Sequence, residues 1–192
     1  MIRASIALAL ALALLAAAAA DAKPRLLDKF DAWDATVDKR GKERICYVSS
    51  LPTKSTGRYK KRGEASIIIA HWPKRKRWGE VTVNAGYRHK KKTEVLISIG
   101  GAPLRLFTSG GQAYAYRGED ARLVRAMKAG ARMTVTGISS KGTRTLDTYS
   151  LRGISNALKA IDAECRGKGY KPRKKPKKPK TRKKPAAAKK KK

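Results

Sequence analysis

Short runs of basic side chains are the residues of this 192-residue chain whose type and spacing most plainly carry chemistry. Lys60-Lys61-Arg62, Lys74-Arg75-Lys76-Arg77 and Lys90-Lys91-Lys92 each set cations side by side, with Tyr59, Trp72, Trp78 and Tyr87 flanking them. Ammonium and guanidinium groups bind phosphate oxygens through charge-assisted hydrogen bonds, and a neighbouring aromatic ring can stack on a base or seat at a headgroup layer. The plainer alternative is loop charge left in water beside core-edge aromatics, and the sequence weighs the two about equally. A further basic run closes the chain, KPRKKPKKPKTRKKPAAAKKKK, where Lys174, Lys175, Lys177, Lys178, Lys183 and Lys184 fall between prolines.

Catalytic patterns are missing. His71 and His89 are the only histidines, one inside an apolar run and one in the basic stretch 88–92. No G-x-S-x-G elbow accompanies them. Asp28, Asp31, Asp34 and Asp38 are spread along one half-exposed segment and make no acid pair with a cleft between its members. Gly100-Gly101 and Gly110-Gly111 are not followed by lysine and a hydroxyl at phosphate-loop spacing, and read as turns. Two cysteines and two distant histidines lack zinc-ligand spacing, so neither a metal nor another cofactor is expected. The chain reads as a non-enzyme, with His71 a core or surface residue.

Cys46 and Cys165 are the only cysteines. In an oxidising compartment an even count suggests a disulfide, and only one intramolecular pairing exists. A loop of that length is worth roughly 4–5 kcal/mol in the chain-entropy account. Two buried free thiols are the alternative.

The elements that would position these groups read as mostly strand. EVTVNA (80–85) and EVLISI (94–99) alternate apolar and polar residues, and ASIIIAHW (65–72) is apolar on both faces, as a central strand would be. RICYVSS, PLRLFTS, QAYAYR and RMTVTGIS add shorter runs, with glycines at about strand spacing between them. Two segments follow helical spacing. EDARLVRAMKAG (119–130) groups Leu123, Val124 and Met127, with Gly130 at the position of a C-terminal cap. GISNALKAIDAEC (153–165) aligns Ile154, Leu158, Ile161 and Cys165 in one stripe, so a Cys46–Cys165 bond would pin this last helix to the strand around Cys46. The expected fold is mainly β, an antiparallel sandwich or barrel-like domain with two short helices, the last one tethered where the disulfide forms.

The ends divide the chain. Arg3, the apolar run 6–20 and Ala20-Asp21-Ala22 have the form of a secretory signal peptide over residues 1–22. The run is short and alanine-rich for a membrane span, and no later segment is long and apolar enough for one. The folded domain is expected over 23–165. Residues 166–192 carry sixteen Lys and Arg and no acid. With prolines throughout and no apolar side chain larger than alanine after Tyr170, this tail is expected to be a disordered, extended arm reaching on the order of 80 Å. The domain itself carries thirty basic against thirteen acidic groups, so positive charge covers the body as well as the end.

The stretch RGEDARLVRAMKAGARMTVTGISSKGTRTLDTYSLRGISNALKAIDAEC (117–165) resembles the invasion-associated locus B family of exported Gram-negative envelope proteins. The similarity rests on Ala126-Met127 with Gly130, on Ser140 to Ser150, and on Gly153, Ala157-Leu158 and Cys165, and it extends back toward Cys46 and Trp33. It implies a β-rich periplasmic domain tied to host-cell invasion or envelope stress. No catalytic residues come with it. Ile154 stands where relatives usually have an aromatic, and the Lys/Pro tail is an addition.

For an exported chain the accessible polyanions are lipopolysaccharide phosphates, anionic phospholipid headgroups, acidic glycans and released nucleic acid. The expected protein is periplasmic, with outer-membrane association or release also open, and is held electrostatically to an anionic envelope surface. The rival reading is a histone-like nucleic-acid-binding protein that uses the same tail.

Overall fold

A computed structural model describes residues 23–101 and 103–166. Residues 1–22, expected to be a signal peptide, and residues 167–192 of the expected Lys/Pro tail, including Lys174, Lys175, Lys177, Lys178, Lys183 and Lys184, lie outside the described residues.

Eleven strands build one sheet: β1 (Arg25–Phe30), β2 (Trp33–Arg40), β3 (Glu43–Ser50), β4 (Lys54–Gly57), β5 (Ser66–Trp72), β6 (Arg77–Asn84), β7 (Glu94–Ser98), β8 (Leu104–Ser109), β9 (Gln112–Ala115), β10 (Arg132–Ile138) and β11 (Arg144–Ser150). Their spatial order is β1-β2-β3-β5-β6-β9-β8-β7-β10-β11-β4, and every neighbouring pair is antiparallel. Two helices follow, α1 (Asp120–Ala129) and α2 (Ile154–Arg166).

The alternation visible in the sequence sets which face is buried. Val81 and Val83 of β6, Val95 and Ile97 of β7, and Met133 and Val135 of β10 all point into a single apolar cluster. That cluster also takes Trp33, Val48, Ile67 and Ile69 from the other half of the sheet, so the sheet closes over itself. Trp33 at the start of β2 donates its indole N–H to the Ser150 carbonyl at the end of β11, 3.1 Å away, although these strands lie near opposite ends of the strand order. This is the expected mainly β, sandwich or barrel-like domain with two helices.

β5 is central, between β3 and β6. A register shift between Ala70 and His71 breaks its pleat, and both consecutive side chains are buried. α2 lays Ile154, Ala157, Leu158 and Ile161 into the core, and Cys165 is bonded to Cys46 with 6.0 Å between the Cα atoms. The expected disulfide is therefore present, across 119 residues of chain. α1 buries Leu123 and Met127.

Gly130 does end α1, but not in the left-handed conformation usual for a glycine cap. Its backbone is extended (φ −95°, ψ 165°), and its N–H donates to the Ala126 carbonyl, 3.0 Å away. Glycine is needed there for space, since a Cβ would lie 2.5 Å from Ile99 Cγ2 and 3.1 Å from Leu151 Cδ1.

Candidate anion-binding cleft

The ends of β5 sort the basic clusters. Ser66 pairs with Asn84 and Trp72 with Arg77, so residues just before β5 and just after β6 share one end of the sheet, and the 73–76 turn lies at the other. Lys60, Lys61 and Arg62 thus meet the 85–92 segment that carries Lys90, Lys91 and Lys92. His89 pairs with Ser139, which brings in the β10–β11 turn as well.

Arg62 anchors this end. Its Nη1 and Nη2 donate to Asp147 Oδ1 and Oδ2 over 2.7 and 2.6 Å, and its Nε donates to the Ala85 carbonyl over 2.8 Å. The two side chains are only 5% and 4% exposed. The rings of Tyr59 and Tyr87 lie 5.5 and 5.1 Å from the guanidinium carbon. The bidentate Asp147 bond raises the Arg62 pKa above its already high ordinary value. Arg62 therefore spends its charge on Asp147 and holds the loop in place, while Lys60 and Lys61 beside it are exposed. The run KKR gives no sign of this difference; the sequence signal for it is Asp147, which alternates inward between the buried Thr145 and Tyr149.

Backbone bonds hold the facing wall. Ser140 N–H donates to the Arg88 carbonyl (2.7 Å), Lys90 N–H to Ile138 (2.9 Å), and Gly142 N–H closes the turn on Ser139 (2.8 Å). Tyr87 Oη hydrogen-bonds Thr145 Oγ1 at 2.6 Å, and burial raises the phenol pKa. Between these walls opens a cavity of about 610 Å³. Arg58, Lys60, Lys61, Arg88 and Lys141 line it with exposed cations, and Ser139, Ser140 and Thr143 supply hydroxyls. No carboxylate is among its described lining residues. Arg58, Arg88 and Lys141 are not among the expected site residues: Arg58 and Arg88 each stand one residue away from a basic run, Lys141 stands alone, and the fold gathers all three.

Lys90, Lys91 and Lys92 are exposed at the same end without lining the cavity. The remaining cluster is at the opposite end. Lys74 and Lys76 are exposed there, Arg75 pairs with Glu43 (2.7 Å) and stacks over Trp72, and Arg77 pairs with Glu80. A second basic group also forms at that end, with Lys23, Arg25, Lys39, Lys42 and Arg44 around a cavity of about 450 Å³. Arg25 and Arg44 share Glu164. Lys39, Lys42 and Arg44 stand close together in the run KRGKER (39–44), where Gly41 and Glu43 interrupt the basic residues, while Lys23 and Arg25 join them only through the fold.

Both histidines are buried. His71 is 2% exposed, its Nδ1 accepts the Gly79 N–H (2.9 Å), and its Nε2 therefore donates to Asp162 Oδ1 (2.9 Å). Both nitrogens are thus committed to hydrogen bonds within the fold. His89 is 7% exposed with neither ring nitrogen hydrogen-bonded among the described residues. Burial lowers its pKa; the Ile138 carbonyl opposes the shift without reaching hydrogen-bond geometry. Among the described residues no cluster of metal-ligating side chains occurs and no helix is long and apolar enough to cross a membrane.

No curated protein and no solved structure matches the chain. The sequence model of one family, described as Invasion associated locus B (IalB) protein, matches residues 33–162. That span runs from the first residue of β2 to Asp162 of α2 and takes in both walls of the basic cleft. The chain belongs to the invasion associated locus B family.

Proposed function

We propose that this protein is a non-enzymatic, exported member of its family that works at the periplasmic face of the cell envelope. There it contributes to envelope integrity or host-cell invasion by attaching to anionic surfaces. The observation that carries this reading is the cavity at one end of the sheet, where Arg58, Lys60, Lys61, Arg88 and Lys141 converge with the hydroxyls of Ser139, Ser140 and Thr143 and with no carboxylate among the described lining residues. Phosphate groups of lipopolysaccharide or anionic phospholipid fit that chemistry, since cations neutralise the phosphate and hydroxyls donate to its oxygens. Each Lys or Arg near an anionic membrane is worth about 1 kcal/mol within a Debye length. The fifteen cations of residues 167–192 would add a second, less specific attachment.

Flotation of the protein with phosphatidylglycerol, lipopolysaccharide-containing and neutral phosphatidylcholine vesicles tests this. Binding to the two anionic preparations is expected, weakened in steps by removing residues 166–192 and by Lys60→Glu with Lys61→Glu and Lys141→Glu. Equal binding to all three vesicles, or no effect of either change, overturns it. Stronger binding to duplex DNA than to any vesicle would favour the nucleic-acid reading instead.

A further inference from the structure

The basic cleft leaves the outward face of β3, β5, β6 and β9 unused. Val48, Ile69, Val81 and Ala113 on these strands point into the core, so Tyr47, Ile68, Thr82 and Tyr114 lie on the opposite face. A cavity of about 290 Å³ is set into that face, with Tyr47, Trp72 and Tyr114 lining it around Ile68 and Ala70.

Its polar groups are balanced. Asp38 and Arg40, 3.6 Å apart, both line the cavity, as does Glu80, which pairs with Arg77. Gln112 adds an amide, whose oxygen already accepts the Tyr114 hydroxyl. A polyanion would meet the two carboxylates, and a polycation would meet Arg40 and would have to displace Arg77 from Glu80. A purely apolar segment would strand all of them without water. A neutral polyol avoids each cost, because a hydroxyl both donates and accepts, and the C–H face of a pyranose ring can lie on an aromatic ring. The Trp72 indole N–H is buried without an acceptor among the described residues, so a ligand oxygen brought within reach by a small ring shift would satisfy it. The Tyr47 phenol, its pKa raised by burial and then by Asp38, keeps its proton as a further donor.

The aromatic surface continues beyond the cavity. Across the β9–β8 register Tyr114 is opposite Phe107, their ring centroids 5.6 Å apart and the planes within 29°. The Tyr116 ring also lies 5.6 Å from that of Phe107, and Phe107 and Tyr116 are 41% and 43% exposed. From Ile68 through Thr82 and Tyr114 to Phe107 the row crosses three strand spacings, about 14 Å, long enough for consecutive sugar rings. Exposed aromatics so grouped are unusual on a surface without a binding role.

We propose that this outward cleft and the aromatic row beside it bind a neutral glycan, with pyranose rings stacked on Tyr114 and Phe107 and one ring seated between Tyr47 and Trp72. The site is separate from the basic cleft and does not depend on it. A panel of short neutral oligosaccharides of hexose and N-acetylhexosamine, titrated into the protein and followed by tryptophan fluorescence and two-dimensional NMR, tests the idea. At least one is expected to bind with a Kd at or below about 1 mM, with little dependence on salt. Tyr114→Ala and Phe107→Ala, both on the surface, should weaken that binding about tenfold or more. Lys60→Glu with Lys61→Glu should leave it unchanged while reducing vesicle attachment. No binding across the panel, or binding indifferent to Tyr114→Ala, overturns the proposal. So does finding that these resonances move only on deleting residues 166–192, which would make the chain's own tail the occupant.

Discussion

Asp162 accepts a hydrogen bond from His71 over 2.9 Å, and Cys165, three residues along the same helix, is bonded to Cys46, the residue paired with His71 across β3 and β5. Two positions on one helix face thus grip two adjacent positions on the sheet. Arg166 joins the grip, its Nε 2.8 Å from Asp162 and its guanidinium carbon 4.5 Å from the centre of the Trp78 ring.

The two contacts are expected to act together. Cys46→Ala with Cys165→Ala should cost about 2–5 kcal/mol in urea unfolding followed by circular dichroism. Asp162→Asn should cost less in the disulfide-bonded protein than in that double mutant, with a coupling energy of about 0.5–3 kcal/mol. Additive costs would mean that the two contacts hold the helix independently of each other.

Arg62 and Asp147 are a buried pair, so breaking it from one side is expected to be severe. Arg62→Ala should destabilise by about 3–5 kcal/mol, because a carboxylate is left buried without its partner. Arg62→Met with Asp147→Leu should recover most of that loss in thermal unfolding. The double mutant should nonetheless loosen the Tyr59–Lys61 loop, read as faster amide exchange there and weaker vesicle attachment.

His89 predicts an acid-sensitive fold. Burial keeps its folded-state pKa below the ordinary histidine value, and the Arg62 charge lowers it further. Its ring meets Tyr87 edge-on at 5.2 Å. The unfolded chain therefore binds a proton first as pH falls, and the stability that neutral His89 provides is present above the ordinary value near 6.5 and lost below it. The added slope is at most about 1.4 kcal/mol per pH unit. His89→Gln should flatten the dependence of stability on pH between neutrality and mild acid; an unchanged slope would assign the sensitivity to other groups.

Two glycines with similar dihedrals separate backbone strain from crowding. Gly142 (φ 84°) and Gly153 (φ 86°) both sit in the left-handed half of backbone space, but only Gly153 is crowded, a Cβ there lying 1.9 Å from the Phe30 carbonyl oxygen. Gly142→Ala should cost about 1–2 kcal/mol. Gly153→Ala should cost clearly more, about 3 kcal/mol or above, because the Phe30 backbone must also move.

Much of the fold could be read from the residues. The alternation of Val81, Val83 and Ala85, the continuous apolar run at 65–72 and the stripe Ile154, Leu158 and Ile161 each match a buried face. The strands that escaped were β1, β2, β4 and β11. β4 is exposed at all four residues and β1 is nearly as exposed, so neither has a core to alternate against. In β2 and β11 the buried positions include Thr36, Thr145 and Asp147, whose polar types hide the period.

Local patterning was enough to establish the β-rich class, both helices and the cysteine pair, since each depends on spacing within a few residues or on there being only two sulfurs. Only the tertiary structure decided which cations act together. Charge density along the chain does not reveal that Arg62 is consumed by Asp147, 85 residues away, or that Arg58, Arg88 and Lys141 converge on one cavity. Nor does it show that Tyr47, Trp72 and Tyr114, on different strands, share another. Strand order sets those distances, and strand order follows from how the whole sheet closes over its core.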